Sequence, residues 1–222
     1  FLPEELSSLV IRSIVEDAQN YLGEEIEEAV ISVPAYFHDE QRVAVKRAGA
    51  LAGIHVERIV NEPSAAALAS YFTANEEQNM LVFDFGGGTL DVSLVDCFDT
   101  MVEIVSVAGN NRLGGDDFDR LIAEHFLREH GVAKQQLRAQ EYAVLLKQAE
   151  RCKKLLSEQE EVVMHAMVGD QVYESTYTMD RLFEESKALL KEIRQVIGRA
   201  LKDGKMTIHV SLVSKKIVNL FE

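Results

Sequence analysis

The stretch from Asn79 to Asp96, NMLVFDFGGGTLDVSLVD, constrains this chain more than any other. An apolar, β-branched run (Met80–Phe85) meets Gly86, Gly87 and Gly88, and a second alternating run follows from Thr89 to Val95. The pattern predicts two antiparallel strands joined by a tight glycine turn. One or two glycines suffice for a turn. Three in succession, with Asp84, Thr89 and Asp91 around them, suit an anion site. Backbone without Cβ can approach an anion closely, and successive N–H groups form a concave nest. Asp84 at the strand end could hold a hydrated Mg²⁺ shared with phosphates, and Thr89 adds a hydroxyl to the rim. The competing reading is a plain glycine hairpin with two solvated aspartates.

Composition narrows the classes. A chain of 222 residues that is 47% hydrophobic can bury a sizeable core in one large domain or two modest ones. A formal charge of −14 argues against a nucleic-acid partner, which would need a basic face. The acidity lies on stretches such as Glu24–Glu28 and Glu158–Glu161 and reads as solvated surface. No apolar run approaches the roughly 20 residues of a membrane-spanning helix, and the start carries no signal-peptide pattern. Cys97 and Cys152 form neither a disulfide framework nor a metal set, and read as thiols of a reducing cytoplasm.

Taken in order, the chain is expected to open on a helix from Pro3 to about Leu22, with Leu6, Leu9, Val10, Ile14 and Ala18 at helical spacing. A strand Ala29–Val33 stops at Pro34. Asp39 caps a helix Glu40–Ala52 closed by Gly53, and a strand Val56–Val60 leads through Asn61-Glu62-Pro63 into a helix Ser64–Ala74. Strand, helix, strand, helix is βαβ grammar, which places ligand groups at strand carboxyl ends. Glu62 sits at such an end, where helix capping would also explain it. After the central hairpin and a third strand, Val102–Val107, Gly114-Gly115-Asp116-Asp117 opens an apolar helix, a second place where an anion could dock. A helix Gln140–Ser157 has a basic end that suits its dipole. A hairpin Glu161–Met167 and Gln171–Thr178 around Gly169-Asp170, an amphipathic helix Met179–Leu201, a strand Ile208–Val213 and a helix Lys215–Phe221 complete the expectation.

Four segments now carry a resemblance: VISVPAYFHDEQR (Val30–Arg42), VNEPSAAALA (Val60–Ala69), VFDFGGGTLDVS (Val82–Ser93) and AGNNRLGGDDFD (Ala108–Asp119). Together, in this order, they resemble the seventy-kilodalton heat-shock chaperones, within them the DnaK group, with the part after Asp119 closer to the HscC-like branch. The resemblance covers nearly the whole chain. It implies the ATP-binding region of a chaperone with an α/β, actin-like ATPase fold built on the ribonuclease H-like motif, present as part of lobe I and most of lobe II. Residues 1–73 would belong to the first lobe, 74–113 and 186–222 to the base of the second, and 114–185 to its outer subdomain.

The resemblance also implies roles. Gly86, Gly87, Gly88 and Thr89 would form the second phosphate loop for ATP or ADP, and Asp84 would hold Mg²⁺ through water. Glu62 and Asp91 would be carboxylates positioning the metal shell and attacking water, a task that suits carboxylates. Gly114, Gly115 and Asp116 would lie near the ribose. Glu150, Lys153, Lys154 and Ser157 would form the helix face packed around adenosine, which replaces the dipole reading of that basic end. Pro34 and Arg42 would form a switch between nucleotide state and substrate domain. Implied partners are unfolded client polypeptides, a J-domain co-chaperone and a nucleotide exchange factor.

There are departures from the family pattern. By that resemblance its first phosphate loop and lysine would precede Phe1, its adenosine glycine loop looks deleted between Val213 and Ser214, and its peptide-binding domain is not expected within these 222 residues. The half-site that remains is expected to hold ATP no tighter than about millimolar. Two other classes stay open: a small-molecule kinase of the same fold, which has no reason to contain VNEPSAAA, and an actin-like filament protein, which predicts nucleotide-dependent sedimentation.

Overall fold

The computed structural model describes residues 1–74, 78–98, 101–169 and 171–206. The expected strand Ile208–Val213, the helix Lys215–Phe221 and the turn residue Asp170 lie outside them. Two compact units emerge, one from the described residues of 1–82 and 93–107, the other from 83–92 and the described residues from 108 onward.

In the first unit, α1 (Pro3–Leu22), β1 (Glu28–Val33), α2 (Asp39–Ala52), β2 (His55–Asn61) and α3 (Glu62–Ala74) follow the expected order. β1 and β2 pair in parallel, with Val33 opposite Asn61, so both strands end side by side. α2 makes the crossover that a parallel pair requires. It rests on β2 almost backbone to side chain: a Cβ on Gly49 would stand 2.2 Å from Val56 Cγ2. Gly53, at φ 89°, supplies the left-handed residue that ends the helix. α1 starts and stops where expected, but its apolar stripe is not core. Leu6, Leu9, Val10 and Ile14 are 53–62% exposed, and Ser8 is the buried residue of this helix. Periodicity identifies an apolar face; it does not supply the partner that buries it.

β3 (Gln78–Phe85), β4 (Leu90–Phe98) and β5 (Met101–Asn110) form a sheet in that order. Within the first unit, Val95 and Cys97 of β4 pack with Ala67 of α3.

In the second unit, α4 (Gly115–Glu129), α5 (Ala139–Leu155), β6 (Glu161–Val168), β7 (Gln171–Thr178) and α6 (Met179–Glu185) surround one core, and α7 (Lys187–Asp203) follows with Leu190, Ile193, Val196 and Ala200 buried on its own face. Ile122, Phe126, Leu145, Cys152, Met164, Tyr177 and Leu182 fill it. The buried Tyr177 hydroxyl donates to Ile122 O at 3.1 Å. β6 and β7 pair antiparallel with Val168 opposite Gln171, the hairpin the sequence predicts. The single helix expected over Met179–Leu201 is instead two. Ser186, buried between them with ψ near 6°, donates its hydroxyl to Phe183 O at 3.3 Å. A serine that bonds locally offers the backbone an alternative to the helical ladder. Arg181 secures the short α6: it donates to Glu185 at 2.8 Å, Glu129 at 2.7 Å and Thr176 O at 2.7 Å.

Candidate functional site

The glycine turn between β3 and β4 closes with the Gly86 N–H donating to Thr89 O at 2.9 Å. None of its three glycines has a positive φ. They supply space, not left-handed backbone. A Cβ on Gly88 would meet nothing within 4 Å, one on Gly86 would reach Thr89 Oγ1 at 3.6 Å, and one on Gly87 would reach Asp116 Oδ1 at 3.3 Å. Thr89 is exposed on the same turn.

The second glycine loop docks on the first. Gly115 N–H donates to Gly86 O at 2.9 Å and Asp116 N–H to Gly87 O at 2.8 Å. Contact is so close that a Cβ on Gly114 would lie 2.3 Å from Gly87 O and 2.5 Å from Gly88 N. Asp117 reaches back to accept from Gly114 N–H at 2.8 Å and pairs with Arg120 at 2.6 Å. Two leading amides of α4, open to an anion on sequence grounds, are therefore donors to protein carbonyls. The turn's own amides remain: among the described residues, those of Gly87 and Gly88 donate to no backbone carbonyl.

Two carboxylates flank the turn. Asp84, the penultimate residue of β3, is exposed, and Asp91 is half-buried. Burial, and then the charge of Asp84, push the Asp91 carboxyl above the ordinary carboxylate range. Gly109 leaves room for it, since a Cβ there would meet Asp91 Oδ1 at 2.5 Å. Among the described residues no three His, Cys, Asp or Glu side chains gather as a metal set. A pair of carboxylates that repel one another beside an amide-lined turn nevertheless fits a cation held partly through water. The raised Asp91 means the folded chain holds that proton more tightly than the unfolded chain. The contribution of Asp91 to stability is thus fully present below its ordinary carboxyl pKa of 3.8 and is lost as pH rises through the higher folded value. Asp91→Asn is expected to raise the melting temperature at pH 7 and to give no gain below about pH 3.8; thermal melts at both pH values check this.

On α5 the implied adenosine residues separate into two groups. Glu150 and Lys154 pair at 2.8 Å on the solvent side, and this contact holds the Glu150 carboxyl below its ordinary range. Ser157 lies in the turn just after α5, at the rim of an open cavity of 630 Å³ that also takes in Glu158, Glu160, Thr178 and Asp180. Lys153 points inward instead. It is 6% exposed, with Nζ 2.8 Å from Asp119 Oδ1 and 2.9 Å from Gly115 O. Burial pushes the Asp119 carboxyl up, and the ammonium opposes that shift.

In the first unit, β1 and β2 bring Pro34 and Glu62 to adjacent strand ends. Arg42 joins the two ends: Nε donates to Phe37 O at 3.1 Å in the turn after Pro34, and Nη2 to Asn61 Oδ1 at 2.6 Å, next to Glu62. Phe37 N–H closes that turn on Pro34 O at 3.1 Å.

Asp119, Asn61 and Gly109 carry contacts that sequence reasoning left without a role. Asp119 had a visible signal, an acid between Phe118 and Ile122 where the helix should be apolar. Asn61 and Gly109 had none, because their partners are remote in sequence.

A family model described as Hsp70 protein matches residues 1–215. The chain is 42% identical over 217 residues to the chaperone protein dnaK3 of Thermosynechococcus vestitus, covering 93% of this chain and 32% of that protein. It is 40% identical over 216 residues to the chaperone protein dnaK of Cyanophora paradoxa, covering 93% of this chain and 35% of that protein. It spans about a third of the length of these curated relatives.

Proposed function

Because the chain belongs to the Hsp70 family, whose fold is the actin-like ATPase fold, we propose that it is the ATP-binding and ATP-hydrolysing region of a molecular chaperone. The observation that carries this is the pair of interlocked glycine loops: Gly115 and Asp116 tie down the carbonyls of Gly86 and Gly87, so the turn presents rigid amides, with open space at Gly88. Phosphate oxygens of ATP or ADP are the natural acceptors for such amides.

Asp84 and Asp91 are the carboxylates for Mg²⁺ and its water shell, and a bound ion would relieve their mutual repulsion. Thr89 offers a hydroxyl to phosphate or water, and Glu62 keeps the water-orienting role that the resemblance implies. Glu150, Lys154 and Ser157 are assigned to the adenosine side. Pro34 and Arg42 are assigned to the switch, supported by the Arg42 fork across two strand ends. Residues 1–73 are assigned to the first lobe, 74–113 and 186–222 to the base of the second, and 114–185 to its outer subdomain. Client polypeptides, a J-domain co-chaperone and a nucleotide exchange factor are the partners this function requires.

The test is kinetic. In the intact protein, Thr89→Ala is expected to slow single-turnover ATP hydrolysis at least about tenfold, roughly 1.4 kcal/mol of barrier, with ATP affinity less affected. A wild-type rate would remove Thr89 from the mechanism.

A further inference from the structure

We propose that the exposed ridge of α7 is a docking site for an acidic polypeptide segment of a partner protein. This site is independent of the nucleotide reading. From Lys187 to Lys205 the chain carries six cations against two acids, a local charge of +4 in a chain whose formal charge is −14. The helix buries Leu190, Ile193, Val196 and Ala200. On the opposite side, Lys187, Lys191, Arg194, Gly198 and Lys202 fall within an arc of about 80°, and all five are exposed. Glu192 and Asp203 lie off this arc, Glu192 beside Asn110 Nδ2 at 3.5 Å. Lys187 pairs with Glu184. Among the described residues, the side chains of Lys191, Arg194 and Lys202 have no ion-pair or hydrogen-bond partner.

The helix itself does not account for this row. Cations at a helix C-terminus complement the dipole, which explains Lys202. Lys187, the first residue of α7, stands at the wrong end for that, and the first turn holds no acid. Lys187 and Lys191 are four residues apart and Lys191 and Arg194 three, spacings at which like charges destabilise a helix. Gly198 is equally unexplained. Its φ is not positive and a Cβ there would meet nothing within 4 Å, so a better helix former would fit. Bare backbone in the middle of a cationic row lets another chain come close.

The row from Lys187 to Lys202 is about 22 Å long, the reach of about seven extended residues. Charge selects the occupant. A nucleic acid or an anionic bilayer presents a wide negative field, which the rest of this acidic chain repels. A second copy would bring a whole acidic surface with it. A short acidic segment covers the ridge alone.

The test is fluorescence anisotropy of the intact protein with a labelled peptide of alternating glutamate and serine, in about 0.1 M salt. Lys191→Glu/Arg194→Glu should weaken binding about tenfold, since each exposed charge pair weighs a few-fold and reversal adds repulsion. Lys147→Glu/Arg151→Glu makes the same change in net charge on α5 and should leave the affinity unchanged. Gly198→Tyr, which changes no charge, should weaken binding by closing the approach. An unchanged affinity in the α7 variants, or an equal loss in the α5 control, overturns the proposal. Thermal melts separate a structural role. Reversal relieves repulsion along α7, so Lys191→Glu/Arg194→Glu should melt no lower than wild type. If that variant fails to fold, Lys191→Gln/Arg194→Gln takes its place in both measurements, and a lower melting temperature there means that the cations serve the fold, which also overturns the proposal. Phosphatidylserine vesicles, a single-stranded oligonucleotide and sedimentation without peptide are run alongside. Binding of either probe, or self-association, that depends on Lys191 and Arg194 while the peptide does not bind overturns the acidic-segment reading.

Discussion

Gly114→Ala is expected to destabilise the chain by about 3 kcal/mol and to weaken ADP binding in the same step. Gly114 has φ −161° and ψ −170°, extended backbone open to any residue, so conformational preference is not the reason. Space is the reason. The new methyl would sit 2.3 Å from Gly87 O and 2.4 Å from its carbonyl carbon, atoms of backbone that no rotamer change can move aside. The loops must part by about 1 Å to restore van der Waals contact. That separation breaks the Gly115–Gly86 and Asp116–Gly87 bonds of 2.9 and 2.8 Å, each contributing about 1 kcal/mol, on top of the overpacking penalty. Urea unfolding measures the first effect and calorimetry with ADP the second. An unchanged midpoint together with unchanged affinity would mean the loops are not interlocked in solution.

Gly88→Val is expected to give the opposite division. No atom lies within 4 Å of its Cβ position and its φ is not positive, so the fold should lose no more than about 0.5 kcal/mol. The same side chain fills the space where a phosphate would meet the turn. Losing two hydrogen bonds to a charged group removes about 3 kcal/mol or more, over a hundredfold in affinity. Gly87 is a less clean position, because a side chain there also meets Asp116 at 3.3 Å. A Gly88→Val protein that melts normally and still binds ADP normally would sink the phosphate-turn assignment.

Local signals in the sequence were faithful where neighbours in the chain decide the outcome. Gly23 and Gly53 end α1 and α2 in left-handed backbone, and the alternation of β6 and β7 gave a hairpin in the expected register. What the sequence hid depends on partners far along the chain. Three consecutive glycines suggested an anion turn, yet two of their carbonyls turn out to be matched to a loop far along the chain, Gly86 to Gly115 and Gly87 to Asp116. The resemblance put Lys153 and Lys154 on one helix face, but they take separate partners, one Asp119 and the other Glu150. Ser186 interrupts a stripe whose hydrophobic periodicity runs through it unbroken, because a single backbone-directed hydroxyl leaves no trace in such a pattern.

The two cysteines divide between the two units, Cys97 in the first and Cys152 in the second, at 1% and 2% exposure. Burial pushes both thiols up, Cys152 to about 11, so neither offers much thiolate while its surroundings stay closed. Nature has thus installed one silent reporter per unit. Under a thiol-reactive probe each signals only when its own packing opens, so the two labelling rates read two local opening equilibria from one sample. A ligand that clamps the glycine turn should slow the Cys152 signal, and the Cys97 signal then shows how far that clamp is felt.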